Sequence, residues 1–308
     1  MSGRWRGLDA ARGLAVVAMV VFHLIWDLAH FGYIDHAIPW SAPVKAFGHT
    51  IAFAFLFIAG VSLVLAHRDH MHWRAFWRRF GIVAGAAALV SLGTWLVFPS
   101  AFVFFGILHC IAAASLLSAV FLRAPWPVTL AAGALAFAAP HVLASPLFNA
   151  GWLQWLGLGT AEPFTQDWRP FFPWAGAMLL GVGAARLRLR AETGAAAPAT
   201  PRPHAPGEKG LAFLGRHSLL IYLIHQPLLF GLFTALLAVA PPAPNATAFI
   251  AECERSCVAE GSRQSFCHSF CGCTAAEAGR GAALAGVTDQ AARMKRMQDI
   301  AARCLSRQ

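Results

Sequence analysis

The first apolar stretch, "LDAARGLAVVAMVVFHLIWDLAH" over residues 8–30, repeats chemistry-bearing side chains along one helical face. From Arg12 to His23 is a step of eleven residues. On an α-helix that step returns to within about 20° of the same direction, about 16 Å further along the axis. Asp27 lies one turn beyond His23 and His30 one turn beyond that, while Asp9 precedes Arg12 by about a turn. An imidazole with a carboxylate one turn away is the arrangement of a general base whose cation can be stabilised, and a guanidinium suits a phosphate. Ionisable groups inside a membrane helix are costly, and by default they face a bundle interior and mark a site or pathway. The plainer alternative is an Arg12 that snorkels to the interface and a His23 bonded to a neighbouring carbonyl.

Further polar residues interrupt later apolar runs. His109 stands in "FVFFGILHCIAAAS", and His225 in "LGRHSLLIYLIHQPLL" has Tyr222 and Ser218 three and seven residues before it on one face. Pro227 is expected to kink that helix and free a carbonyl. His109 or Tyr222 could polarise a reacting carbonyl oxygen. The segment "GTAEPFTQDWRPFFPW" offers Glu162, Asp167, Arg169 and tryptophans, suited to gripping a sugar by stacking and hydrogen bonds, or else to an interfacial aromatic belt.

These residues need an apolar scaffold. The chain has 308 residues, 58% hydrophobic and 12% charged, with a mean hydropathy of +0.57. Apolar runs at 8–29, 47–66, 80–98, 101–122, 126–143, 171–187 and 216–239 predict an all-α, polytopic transmembrane bundle of about seven spans. The net charge of +10 sits at the ends of these runs, so it reads as topology and excludes a nucleic-acid partner. Arg4 and Arg6, the connection "HRDHMHWRAFWRR", Arg123 and "RLRLR" occupy alternate connections. By the positive-inside rule the N-terminus is inside and the C-terminus outside. Asp9 and Arg12, with no small-residue cleavage site behind them, mark a retained helix rather than a signal peptide. The domain reading is a membrane domain over 1–240, containing a flexible cytoplasmic linker at 191–210, and a cysteine-rich tail over 241–308.

Six of the seven cysteines fall in that tail: Cys253, Cys257, Cys267, Cys271, Cys273 and Cys304. The spacing in "CERSC" and "CHSFC" puts each pair on one helical face. A helical hairpin would then join Cys253 to Cys271 and Cys257 to Cys267, leaving Cys273 and Cys304 for a third bridge. Disulfides need an oxidising compartment, in agreement with an outer tail. The competing reading of "CHSFCGC" is a metal site built from Cys267, His268, Cys271 and Cys273.

The string "LDAARGLAVVAMVVFH", with its Asp-x-x-Arg-Gly opening and its arginine-to-histidine spacing, resembles the first helix of type 3 membrane acyltransferases. The ordered set "FLFIAGVSLVLA", "FGILHCIA", "DWRPFFPWAGAMLLGVG" and "LGRHSLLIYLIHQPL" is more similar to bacterial relatives of heparan-α-glucosaminide N-acetyltransferase. The resemblance covers residues 4–235 and leaves out the tail. It implies transfer of an acyl group, acetyl in the first instance, from cytoplasmic acetyl-CoA or another acyl-CoA to a sugar of the cell-envelope glycan on the far side. No metal is implied. In the lysosomal acetyltransferase the proposed catalytic histidine follows the first helix, and the position matching His23 is not histidine. His36, in "YIDHAIPW", is therefore the other candidate base; His23 is preferred because it shares the arginine's face. On this reading Arg12, supported by Asp9, anchors the donor, His23 with Asp27 takes the acceptor's proton, and His109 assists. Asp167, Arg169, Tyr222, His225 and Gln226 bind substrate. The implied location is a bacterial inner membrane with the tail in the periplasm, where a homo-oligomer or a periplasmic partner would meet it. Two other classes compete: a transporter or lipid-handling protein using the polar stripe as a substrate path, and a haem protein with facing histidines.

Overall fold

A computed structural model describes residues 6–194, 207–240, 246–279 and 290–307. Arg4 and most of the expected linker at 191–210 lie outside the described residues. Among the described residues the chain is all-α. Helices α1 (Arg6–His30), α2 (Ala42–Ala66), α3 (Trp73–Val97), α4 (Ile107–Phe121), α5 (Trp126–Val142) and α6 (Phe171–Gly194) are followed by α7 (Glu208–Arg216) and α8 (Ser218–Val239). The tail contributes α9 (Ala246–Ala259), α10 (Gln264–Gly279) and α11 (Gln290–Leu305). Each of the seven predicted runs is a helix. Of these, α1, α2, α3 and α8 are long and apolar enough to cross a membrane. Helix α4 has 15 residues, a length of about 22 Å against a hydrocarbon core of about 30 Å.

Four boundaries differ from the sequence reading, the first being α3, which begins at Trp73 rather than 80, so that the second half of the basic connection 67–79 is helical. Residues 101–106 are not helical, because their backbone pairs with the segment before α6: Gln166 N–H donates to Ala101 O, Arg169 N–H to Phe105 O, and Phe105 bridges Trp168. The run 216–239 is broken at His217, leaving the short amphipathic α7 ahead of α8. Helix α6 continues through "RLRLRAETG", so residues 191–194 are helical and not linker.

The chain forms two compact units. One comprises the residues up to Phe22 with Lys45–Pro227, the other His23–Val44 with the residues from Leu228 onward. In the first, α6 packs on α4 and α5. Leu56, Cys110, Ala114, Ala175, Ala177 and Met178 form its core, all essentially inaccessible. The helices approach closely where glycine permits it: a Cβ at Gly215 would fall 1.8 Å from Asp9 O, which seats α7 against the start of α1. In the second unit, Phe31 stacks on Phe233 and Tyr33 Oη donates to Ala240 O. Its tail is a hairpin of α9 and α10 with α11 tied to it. Disulfides join Cys253 to Cys271, Cys257 to Cys267 and Cys273 to Cys304, with Cα separations of 5.8, 5.7 and 5.8 Å. These are the pairs that the four-residue spacing on two antiparallel helices brings together. The thiolates required by a metal at Cys267, Cys271 and Cys273 are consumed in the bridges.

Candidate active site

The first unit holds an open cavity of about 1270 Å³. Part of it is cationic, lined by Arg12 of α1, His67 and Arg68 after α2, Arg78 and Arg79 of α3, and Arg216 at the end of α7. The apolar part of the lining comprises Phe55, Ile107, Leu108 and Ile111, with Tyr222 among them. Ser62 and Ser218 also line it.

Arg12 is fixed in this wall. Its guanidinium pairs with Asp9 at 3.1 Å and donates to Ser62 Oγ at 2.6 Å. The Ser62 hydroxyl donates in turn to Ile58 O, so the serine oxygen keeps its lone pair for the arginine. Asp9 is 7% exposed and is thus the buried counter-charge that holds Arg12 in place. Arg79 is set differently. It is exposed and lines the cavity, the charged group acting on it most is Arg12, and no carboxylate pairs with it among the described residues. Two mutually repelling cations in one cavity wall, of which Arg12 is paired to a carboxylate and Arg79 is not among the described residues, suit an anion. At the mouth, outside the spans, burial first and then His72 and Arg79 hold the His67 imidazole below its ordinary range, against a smaller opposing effect of the Ala66 backbone.

The apolar part is organised by Asp167. Its Oδ2 accepts from the N–H of Ile107 at 2.9 Å and so caps α4 from sixty residues away. Gly106 allows this, since a Cβ there would lie 2.5 Å from Asp167 Oδ2. His109 completes the helix start: Gly106 N–H donates to its Nδ1 at 3.2 Å. Its Nε2 lies 3.1 Å from Ser91 Oγ, whose hydrogen is given to Val103 O at 2.6 Å. The serine must therefore accept, which makes His109 the neutral Nε2–H tautomer with both ring nitrogens engaged. Cys110 is fully buried, 3.8 Å from Pro170 O, and does not line the cavity.

Arg169 follows Asp167 at 3.9 Å, donates to Trp168 O and places its guanidinium carbon 5.8 Å from the Trp174 ring centroid. Tyr222, in the cavity wall, is within electrostatic reach of both Asp167 and Arg169. His225 is 7% exposed, and its Nδ1 is 2.8 Å from Tyr222 O and 3.1 Å from Ile221 O. Carbonyls only accept, so Nδ1 carries the proton. Gln226 is its chain neighbour, ahead of Pro227, which lies inside α8 without ending it.

Of the predicted site residues, Asp9, Arg12 and Tyr222 line the cavity, while Asp167, Arg169 and His109 cluster at the start of α4, outside its lining. In the second unit, His23 is half-buried and Asp27 is 3% exposed, one turn apart on the same unbroken α1. His36 is in an exposed turn after α1, where Asp35 Oδ1 accepts from Ala37 N–H. The sequence reading missed Ser62 and Arg216; it placed Arg79 in the basic 67–79 connection, whose residues were to help Arg12 hold the donor phosphate, without singling it out. Its one signal for Arg79 was position: the arginine sits seven residues into a helix rather than before it. Among the described residues no group of three or more histidine, cysteine or acidic side chains could hold a metal ion.

Comparison with known proteins agrees with this arrangement. Neither the curated proteins nor the solved structures gave a match. A family model described as heparan-alpha-glucosaminide N-acetyltransferase, catalytic, matches residues 4–227, which include the whole cavity wall, and ends before the cysteine-rich tail. A cationic, open cavity in an apolar helical domain and a family match across nearly three quarters of the chain lead to one conclusion: the chain belongs to the heparan-α-glucosaminide N-acetyltransferase catalytic family, a family of transmembrane acetyltransferases.

Proposed function

We propose that the protein moves an acyl group, acetyl in the simplest case, from acyl-CoA to a hydroxyl or amine of an envelope sugar. The observation that carries this reading is the Arg12–Arg79 pair: mutually repelling cations lining one open cavity, one of them without a carboxylate partner among the described residues. The donor's phosphates lie against Arg12 and Arg79, with Arg68, Arg78 and Arg216 within the same cationic part, while the pantetheine arm runs toward the apolar part. Arg12, held by Asp9 and Ser62, is positioned to bind phosphate without reorganising, which supports its use as a donor anchor. In the apolar part Tyr222 donates to the thioester oxygen as charge develops there.

The acceptor's proton passes to a histidine as its oxygen or nitrogen attacks the thioester carbon; the C–S bond breaks, and the thiolate of CoA leaves and is protonated. Helix register supports His23 as this base. It shares the face of Arg12 on an uninterrupted α1, and Asp27, one turn on, stabilises the imidazolium. The cationic part faces the cytoplasm, the source of acyl-CoA, and the protein resides in a bacterial inner membrane with its disulfide-bonded tail on the outer side.

The test is transfer of label from [14C]acetyl-CoA to envelope glycans in sealed vesicles of defined orientation, comparing wild type with His23→Ala at equal expression. Label in glycan that depends on His23 supports the whole reading. Label retained in His23→Ala refutes His23 as the base. Uptake of label with no acylated product refutes acyl transfer in favour of transport.

A further inference from the structure

One histidine near the Asp167–Arg169 pair has no role in the reading above. His49 lies in the first turns of α2, exposed, with its ring edge-on to Trp174 at 5.5 Å between centroids and 65° between planes. Trp174 is the same indole that carries the Arg169 guanidinium. Lys45, one turn earlier on α2, and Glu162 also stand within electrostatic reach of His49. Two histidines lie this close to the Asp167–Arg169 pair, and their surroundings are opposite. His109 spends both ring nitrogens on Gly106 and Ser91, whereas no hydrogen bond reaches either nitrogen of His49 among the described residues. Its ring is held by an aromatic contact alone, which fixes its plane and leaves its polar edge open.

The cluster is built rather than incidental. Trp174 is 9% exposed and lies in the first turn of the helical part of α6, since Phe172 is extended, with φ −96° and ψ 134°. Arg169 is tied to Trp168 O and Asp167, and Asp167 to the start of α4, whose residues Ile107 and Leu108 line the apolar part of the cavity. A guanidinium tied to Asp167 and an open imidazole thus contact the same indole.

We infer that His49, Arg169 and Trp174 form the acceptor subsite, and that His49 is a positioning residue which hydrogen-bonds a hydroxyl or amine of a sugar ring next to the group that is acylated. A pyranose presents neighbouring polar groups a few ångströms apart, so one is gripped by the imidazole and another by the guanidinium while the reacting group points toward the thioester. This rests on the acyltransferase reading of the cavity and adds the residues that hold the acceptor.

Two substitutions separate hydrogen bonding from packing. His49→Gln keeps a donor and an acceptor but loses the aromatic edge contact; His49→Phe keeps that contact and loses both polar atoms. With glucosamine as acceptor and purified protein in liposomes, His49→Phe is expected to raise the acceptor KM about five- to tenfold. It should leave kcat at saturating glucosamine and the KM for acetyl-CoA within about twofold. His49→Gln should stay within about twofold of wild type throughout. The reverse pattern, Phe like wild type and Gln impaired, overturns the inference and makes His49 a packing residue. So do two variants that both match wild type, and so does a change confined to the acetyl-CoA KM. Wild-type protein that binds acetyl-CoA but does not acetylate glucosamine overturns the sugar subsite while leaving the donor cavity standing. Wild-type protein that does not bind acetyl-CoA overturns the reading of the cavity itself, which marks that failure as distinct.

Discussion

Replacing Arg79 by glutamine should move donor affinity and resting stability in opposite directions. In the free protein Arg79 and Arg12 line one cavity and repel each other, and the carboxylate of Asp9 is already paired to Arg12 at 3.1 Å. Removing the second cation relieves like-charge repulsion and a burial penalty, so the melting temperature of the ligand-free protein is expected to rise. With donor bound the balance reverses. A hydrogen bond to a charged group contributes about 1.5–3 kcal/mol, so its loss should raise the Kd for acetyl-CoA about 10- to 150-fold. The stabilisation that donor confers on wild type should shrink in step, because a ligand stabilises through its occupancy of the folded state. Arg78→Gln, a change of the same charge one position earlier and about 100° around α3, should cost less. Isothermal titration of detergent-purified protein gives the affinities, and thermal melts with and without acetyl-CoA give the stabilities. Arg79→Gln with unchanged affinity, or with a lower melting temperature in the absence of donor, would refute the assignment of this pair as an anion site.

Other outcomes follow from particular contacts. His67 should titrate below 6.5, because burial, His72 and Arg79 oppose its cation, and bound acetyl-CoA should raise the midpoint by adding negative charge nearby. The depressed imidazole contributes stability that is present above 6.5 and lost as pH falls through its folded value; histidine-selective NMR with and without donor reads both shifts. Asp167→Ala should lower stability by about 1 kcal/mol through loss of the α4 cap, with Asp167→Asn retaining most of it, as measured by denaturant melts. Cys253→Ser with Cys271→Ser should cost the tail about 3 kcal/mol and expose α9 to limited proteolysis while donor affinity stays at the wild-type value. Gly215→Ala should disrupt the seating of α7, because its Cβ would meet Asp9 O at 1.8 Å; the expected readout is poor recovery of folded protein by size-exclusion chromatography.

What could be read from sequence was what repeats within one helix. The apolar runs, the shared face of Arg12 and His23, and the cysteine pairing all follow from a 3.6-residue period, and each needs only neighbours a turn or two away. What could not be read depends on partners far along the chain. "SAFVFF" has the composition of a helix start, but its backbone bonds are taken by residues 165–169, so α4 begins only at Ile107. The break at His217 follows a glycine that must touch the Asp9 carbonyl, a contact across some two hundred residues. Arg78 and Arg79 are equivalent by composition, and only the packing of α3 decides their surroundings. His49, the one titratable residue in "FGHTIAF", has no periodic signal, and its aromatic partner Trp174 arrives more than a hundred residues later.

The cap that Asp167 places on α4 bears on the order in which the chain can be assembled. The Ile107 N–H must be satisfied by a carboxylate sixty residues downstream. At a synthesis rate of about 5–20 residues per second, that carboxylate emerges about 3–12 s after its partner. For that interval the head of α4 has neither its cap nor the strand-like bonds of residues 165–169, and unsatisfied backbone groups are not tolerated in hydrocarbon. Insertion of α4 is therefore expected to be coupled to the arrival of the segment ahead of α6, so that truncating the chain before Asp167 should leave α4 poorly inserted.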